Sequence, residues 1–337
     1  MCIRDRVQTL PVLLAKAGYR TARVGKHHNG PEDVYFFETK IKANSRSTGE
    51  MADNCEAFIK AESEKPFFLY YATSDPHRGG GNANELPHKP NRFGNKPNKG
   101  AYPGVKEIFY DPAKVTVPPF LPDTPETRAE LAQYYQSTSR VDQGLGRLME
   151  ILKKNGKWEN TIIIFTSDHG EWLGDHGLLL KGPMMYEGLV RVGFIAQGPD
   201  ITPGLTLDHP VSTLDVAATV LDYFGASADL PMHGKSLKPL LNGMSQQRDF
   251  AYNEWSVNPS RCGVELELRM ARTRRHKLTL ELLSGAGEMY DLFDDPWEMN
   301  NLFRTDQRVP FQNELLDMIN SRLDDAIHPR IQPVGMA

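Results

Sequence analysis

Cysteine is scarce in this chain of 337 residues: Cys2, Cys55 and Cys262 lie far apart and are odd in number. Neither a disulfide framework nor a clustered cysteine metal site can be read from them, and the redox compartment stays open. Also missing is any run of about 18 or more apolar residues, which argues against a transmembrane helix and for a chain with no membrane partner. Charge is nearly balanced, 39 Lys and Arg against 43 Asp and Glu. The net charge of -4 is small for this size and implies neither nucleic acid nor an acidic membrane surface as partner. No internal repeat or low-complexity tract appears. With 39% hydrophobic and 24% charged residues the composition is globular, and the length suffices for one large α/β domain with an appendage or two modest domains.

The first six residues, MCIRDR, have neither an apolar signal core nor periodicity, and they run within a few residues into a helix pattern. They read as a non-native scar, so the lack of a signal peptide there says nothing about localisation. From Thr9, the spacing of Leu10, Leu13, Leu14 and Ala17 predicts an amphipathic helix, with Gly18 where a C-terminal capping glycine would sit. A strand is predicted over 19–24, ending at Gly25. The run FFLYYA at 67–72 lies between Pro66 and the polar Ser74-Asp75-Pro76, and its length and aromatic content favour a buried strand. A third strand is predicted over 161–166, after a helix over 127–154, and a fourth over 190–196, before a helix over 214–224. Helices alternating with buried strands predict an α/β sheet with parallel strands. Residues 79–122, rich in Gly, Asn, Pro and Lys, read as a long loop, either functional or disordered. Beyond Gly243 short strands over 268–272 and 276–280 and a helix over 311–323 predict a smaller α+β subdomain. The expected division is therefore a scar at 1–6, a main domain over 7–243, and an antiparallel-sheet subdomain over 244–337.

Ligands in α/β sheets bind beyond the carboxyl ends of strands, and three predicted strand ends carry chemistry here. The first is Gly25-Lys26-His27-His28-Asn29-Gly30, which can present cationic and proton-donating groups to an anion; a polar surface turn is the alternative. The second is Asp75-Pro76-His77-Arg78, where a histidine can move a proton near neutral pH and Arg78 can pair with an anion. In the third, Ser167-Asp168-His169-Gly170-Glu171 is followed by Gly174-Asp175-His176-Gly177 and then Lys181-Gly182. Asp168 and His169 can offer an oxygen and a nitrogen to a divalent cation, or Asp168 can cap a helix. Lys181 could fold back over the same site.

Taken together, these segments resemble the sulfatases of the alkaline-phosphatase superfamily. LPVLLAKAGYRTARVGKHHNG is similar to the family's helix-strand-GKxHxG segment, which implies that Lys26 and His28 contact the sulfate and the nucleophile. PFFLYYATSDPHR places His77 on the substrate-proximal histidine that protonates the leaving oxygen. TIIIFTSDHGEWLGDHGLLLKG matches the segment whose Asp and following residue bind calcium, here Asp168 and His169, and whose distal lysine, here Lys181, contacts the sulfate. Arg78 and His176 complete the implied substrate-binding set. GEMYDLFDDPWEMNNLF also looks like a later family segment, so the resemblance covers nearly everything after Arg6. Within the family, GPEDVY, the PFFLYYATSDPHR run and YDPAKVTVPPFLPDTPETRAEL resemble the N-sulfoglucosamine sulfohydrolases. The GDHGLLLKG segment with its lysine instead looks like the general ester sulfatases, which leaves N- and O-sulfate both open.

The resemblance implies an alkaline-phosphatase-like, mixed but largely parallel sheet flanked by helices, with a small C-terminal α+β subdomain. It implies a calcium-dependent hydrolase of sulfuric esters or sulfamates on sulfated saccharide, in a periplasmic, secreted or lysosomal setting. The family's nucleophile is a formylglycine made from Cys or Ser in a C/S-x-P-x-R motif upstream of GKxHxG, beside two calcium-binding aspartates. Nothing here matches it: Cys2 and Arg6 have the spacing of the motif's ends, but Arg4 replaces the proline and Cys2 stands too close to the next helix. The chain is thus expected to be an N-terminally truncated fragment with little or no turnover of its own. Two other readings stay open, a phosphonate or phosphodiester hydrolase of the same superfamily and a non-catalytic anion-binding protein.

Overall fold

The computed structural model describes residues 8–79, 92–95, 100–228, 231–245, 248–257, 263–303 and 311–321. Cys2, Cys262, the first six residues and much of the stretch 79–122 lie outside them. The described residues form two compact units: those up to 162 with 224–228 and 231, and those over 163–223 with the residues from 232 onward.

The first unit is built on three parallel strands in the order β2-β1-β3. Helix α1 (Leu10–Lys16) buries Leu13 and Leu14, and the chain leaves it through Gly18, whose φ of 90° is a conformation that costs glycine little. Strand β1 (Arg20–Gly25) pairs with β3 (Phe67–Ala72) from Arg20↔Phe67 to Gly25↔Ala72, and on its other side with β2 (Thr39–Ile41). The predicted strands at 19–24 and 67–72 are thus present. Strand β2 was not legible, because three residues reading Thr-Lys-Ile carry no apolar run.

Helix α2 (Thr48–Lys60) buries Met51, Ala52, Cys55 and Ile59, and packs against α3 (Pro125–Lys154). The Thr124 hydroxyl caps α3 by accepting from the Thr127 amide. Along α3 the buried positions Ala132, Gln136, Arg140, Gly144, Leu148 and Leu152 recur every four residues, a single stripe on the helix surface. Gly144 lets the helices approach, since a β-carbon there would meet Thr48 Cβ at 2.4 Å. Of the stretch 79–122, the described residues form no strand and no α-helix, only a short 3-10 turn at Pro112–Lys114.

The second unit opens with β4 (Ile163–Thr166), paired to β5 (Phe194–Gln197) in the antiparallel sense, from Ile163↔Gln197 to Thr166↔Phe194. An antiparallel pair belongs to the mixed, largely parallel sheet that the resemblance implies, though the alternation of helices and strands alone pointed to parallel strands. The strand predicted over 190–196 also starts later, because Glu187–Val190 is a helical turn, α4. Val190 read as the start of the strand, but it ends a helical turn whose Leu189 is buried in a cluster with Trp172, Tyr186, Tyr290 and Leu292 that no local pattern reveals. Helices α5 (Leu214–Tyr223) and α6 (Lys238–Leu241) follow. The chain then forms a four-stranded antiparallel sheet of β6 (Ala251–Val257), β7 (Leu266–Arg272), β8 (His276–Glu281) and β9 (Gly287–Asp291) in sequence order. Strands β6 and β9 were not foreseen. Helix α7 (Gln312–Asn320) lays Leu315 and Ile319 on Ala271, Leu278 and Met289 of that sheet.

The turn from β8 to β9 is held by a carboxylate. Glu281 accepts from the Ser284 hydroxyl and amide and from the amides of Leu283 and Glu267, and these bonds, the Ser284 hydroxyl first, hold its carboxyl down at about 2. A carboxyl depressed in the folded state stabilises the fold at pH values above its ordinary value, about 4.3, and that contribution is lost as pH falls through the folded value. Glu281→Gln is therefore expected to flatten the fall in stability between about pH 5 and pH 2. Urea unfolding of both proteins across that range checks it; parallel curves would remove Glu281 from the account. Among the described residues no helix is long and apolar enough to cross a membrane.

Candidate active site

In the first unit, the carboxyl ends of all three parallel strands open into one cavity of about 360 Å³. Its walls are Lys26, His27 and His28 from the end of β1, Arg46 from the turn after β2, and Ser74, His77 and Gly79 from the turn after β3. Among the described residues no carboxylate lines it. Three imidazoles, a lysine and an arginine around one cavity make a site for an anion. Gly25 sets the exit from β1: its φ is 84°, and a β-carbon there would sit 2.1 Å from the Ala72 carbonyl oxygen and 2.5 Å from Met51 Cε. The Lys26 amide then donates to the Ala72 carbonyl at 2.7 Å, so the lysine leaves the sheet locked to the end of β3.

His77 is oriented by its neighbours. Its Nδ1 lies 2.6 Å from the Arg78 carbonyl oxygen. A carbonyl can only accept, so Nδ1 carries the proton. Arg78 is not among the lining residues. Its guanidinium pairs with Glu130 at 2.8 Å and the side chain is nearly buried, so its charge is already matched. His27 Nε2 is buried with no hydrogen-bond partner among the described residues. Desolvation first, and then Arg23, lower its titration, so at neutral pH its ring is uncharged.

The second unit holds a second grouping, at the carboxyl end of β4. Lys181 Nζ lies 3.1 Å from His169 Nε2, while His169 Nδ1 is 2.7 Å from the Gly170 carbonyl oxygen. The same argument puts the proton on Nδ1, so Nε2 accepts from the lysine. The Asp168 carboxylate accepts from the His169 amide at 3.0 Å and is 71% exposed. Asp168, His169 and Lys181 are therefore gathered as expected, but the first two do not by themselves make a calcium site. They offer one carboxylate and one nitrogen, the nitrogen is engaged by Lys181, and Ca2+ takes about six to eight oxygen ligands. Among the described residues no three His, Cys, Asp or Glu side chains are grouped to hold a metal ion.

His176 has a packing task. Its Nδ1 faces Asp175 Oδ1 at 2.6 Å, its Nε2 faces the Glu298 carbonyl oxygen at 2.9 Å, and its ring stacks on Tyr186 with centroids 3.8 Å apart. Both nitrogens are thereby occupied, which leaves none for substrate. Nearby, Lys277 is 1% exposed and is satisfied by Glu298 and the Met185 carbonyl.

The sulfatase family model matches residues 2–226. The chain belongs to the sulfatase family. A second model, described as N-sulphoglucosamine sulphohydrolase, C-terminal, matches residues 174–325. Human N-sulphoglucosamine sulphohydrolase is 34% identical over 256 residues, 70% of this chain and 50% of that protein. This chain thus spans about half the length of that relative. A putative sulfatase from Bacteroides thetaiotaomicron superposes with a TM-score of 0.74 at 21% identity, covering 99% of this chain and 78% of that one. The phosphonate monoester hydrolase of Agrobacterium radiobacter gives 0.73 at 21% identity, covering 96% and 82%. At such identities the likeness carries the fold, which is the alkaline-phosphatase-like α/β fold expected from the sequence.

The lining residues that the sequence did not single out are Arg46, Ser74 and Gly79, and His27 was only named in passing. Arg46 would have followed from the strand-end rule had β2 been recognised.

Proposed function

We propose that this protein hydrolyses sulfate from an amino sugar or related saccharide, as an N-sulfamate or an O-ester. The observation that carries the reading is the cavity, lined by no carboxylate among the described residues, into which the end of β1 delivers Lys26 and His28 and the turn after β3 delivers His77. A sulfate group spreads negative charge over its non-bridging oxygens, and cleavage builds more on the leaving atom. Lys26 would bind those oxygens through charge-assisted hydrogen bonds, and His28 would stand beside them at the cavity mouth. His77, with its proton on Nδ1 tied to Arg78, would present Nε2 to the leaving oxygen or nitrogen, and as an imidazolium it would supply the proton. General acid catalysis of this kind contributes about 10²–10⁴ in rate. Lys181, whose ammonium is held by His169 in the second unit, is proposed on the resemblance alone as a sulfate-contacting lysine.

Metal dependence is general in sulfatases. The ion we propose is Ca2+, with Asp168 among its donors and His169 joining only if its Nε2 exchanges Lys181 for the ion, and no step above depends on it. The nucleophile implied by the resemblance, a formylglycine, has no counterpart in the residues named here. What this chain's own residues supply is anion binding, orientation and proton transfer. A main catalytic domain over 7–243 with an antiparallel-sheet appendage over 244–337 is part of the same proposal.

The test is a comparison of leaving groups. This chain, carrying ahead of it a formylglycine segment that supplies the nucleophile, is incubated separately with N-sulfoglucosamine, N-acetylglucosamine 6-sulfate and the phenyl monoester of an alkylphosphonate, and released sulfate or phenol is measured. Sulfate release from one of the sugars, at least about tenfold faster than phosphonate cleavage and reduced about 10²-fold or more in His77→Gln, is the expected result. Faster cleavage of the phosphonate would select the phosphonate hydrolase, and binding of sulfate without any turnover would select the anion-binding protein.

A further inference from the structure

The cavity wall includes an arginine with no assigned task. Arg46 stands in the turn between β2 and α2, and its side chain is 19% exposed. It points both ways. Nη1 donates to the Asp75 carboxylate and, at 3.0 Å, to the Phe93 carbonyl, while Nη2 donates to the His77 carbonyl at 3.0 Å. The turn that carries Arg46 and the turn that carries His77 are also joined directly: the Ser74 amide donates to the Ser45 carbonyl at 2.8 Å, and the two serine hydroxyls lie 2.6 Å apart. Behind them, Asp75 is wholly buried and is shared between Arg46 and Arg140, whose Nε lies 2.8 Å from it.

A cation on the wall of an anion pocket invites the reading that it binds the anion. The charges argue otherwise. Arg46 is neutralised by Asp75, and Arg140 has Glu107 at 3.4 Å as well. Two cations face two anions, so no unmatched charge is left over from this network for a ligand. The fork of the Arg46 guanidinium is spent on three fixed acceptors, two of them backbone carbonyls that define where the His77 turn lies. Its stem is confined too, since a β-carbon on Gly94 would meet Arg46 Cδ at 2.7 Å.

We infer that Arg46 is a positioning residue for His77: it couples the buried Asp75–Arg140 pair to the His77 carbonyl and so holds the imidazole in register with the cavity. The catalytic consequence rests on the hydrolase reading above; the structural statement does not.

The experiment reads His77 directly. The full chain is made with ring-15N-labelled histidine, and two-bond 1H–15N spectra report which nitrogen of each ring is protonated, with His77→Gln identifying the His77 signals. In the unaltered protein His77 shows the single Nδ1-protonated pattern. Arg46→Lys keeps a charge opposite Asp75 but cannot bridge to both carbonyls, so the His77 pattern should be lost to a mixture of tautomers while His28 is unchanged. On a sulfated amino sugar the same variant should lose about 10- to 100-fold in kcat, with KM moving less than about threefold, as for a misplaced rather than a missing group. A folded Arg46→Lys protein with the His77 pattern intact overturns the proposal, and so does a loss that falls on KM and sulfate affinity instead, because that is the behaviour of a direct ligand. Should Arg46→Lys fail to fold, Gly94→Ala crowds the Arg46 stem without removing its charge, and the same two outcomes decide. If His77 is disturbed but no form of the protein releases sulfate, the positioning role stands and the hydrolase reading falls.

Discussion

Lys26→Ala is expected to lower kcat/KM for a sulfated amino sugar by about 10²–10³, the usual cost of deleting one preorganised group that faces developing negative charge. The argument begins in the backbone. Gly25 makes a turn closed to any residue with a β-carbon, and the Lys26 amide is fastened to the Ala72 carbonyl, so the lysine is delivered to the cavity by a constrained strand end. Among the described lining residues it and Arg46 are the permanently charged cations, and Arg46 is matched by Asp75. Lys26 is the cation proposed to meet the sulfate. Lys26→Arg should recover only part of the loss, since a planar fork replaces a compact point charge. Steady-state sulfate release by the two variants checks this, together with inorganic sulfate as a competitive inhibitor. An alanine variant within about threefold of the parent on both measures would take Lys26 out of the site.

The largest expected effect on stability is at Arg140. Arg140→Met should cost about 3–5 kcal/mol, the range for removing one partner of a buried ion pair. The Arg140 and Asp75 side chains are both 0% exposed. The guanidinium also donates to Asn95 Oδ1 at 2.6 Å and to the Phe93 carbonyl at 2.8 Å. Methionine fills much of the volume but satisfies none of these acceptors, and Asp75 would keep only Arg46. The penalty comes from desolvated groups left without partners rather than from lost attraction. Denaturant unfolding of the two proteins measures it, and Asp75→Asn in the Arg140→Met background should return part of the loss by removing the stranded charge. A single variant as stable as the parent would mean that water reaches this site.

That network marks the limit of what pattern could reveal. The amphipathic stripe of α3 was plain in the sequence, and the helix is there. Nothing in a helical repeat distinguishes a buried arginine from the surface arginines Arg128 and Arg147 of the same helix, because the distinction is made by an aspartate 65 residues away. The unforeseen helix α2, which buries Met51, Ala52, Cys55 and Ile59, packs against α3, a partner nearly ninety residues on. The same reasoning separates the histidines. His77 and His176 both follow an aspartate in a turn-rich segment, but His77 lines the cavity while His176 is consumed by Asp175, Glu298 and Tyr186. Arg78 was read as an anion partner on its residue type, and its charge goes to Glu130 on α3.

Local pattern by itself determined the elements whose signal lies within a few residues: the strands at 67–72 and after Gly18, the long α3, and the strand-end placing of Lys26, His28, His77, Asp168 and His169. Family motifs along the chain determined the sulfatase assignment. Only the tertiary structure decided that β2 exists and brings Arg46 to the cavity, that β5 runs antiparallel to β4, and which charged groups are spent on one another. The reason is physical. Periodicity reports which face of an element is apolar, whereas the partner of a buried charge is chosen by chain segments far apart in sequence, and the cost of leaving such a charge alone is paid only once they meet.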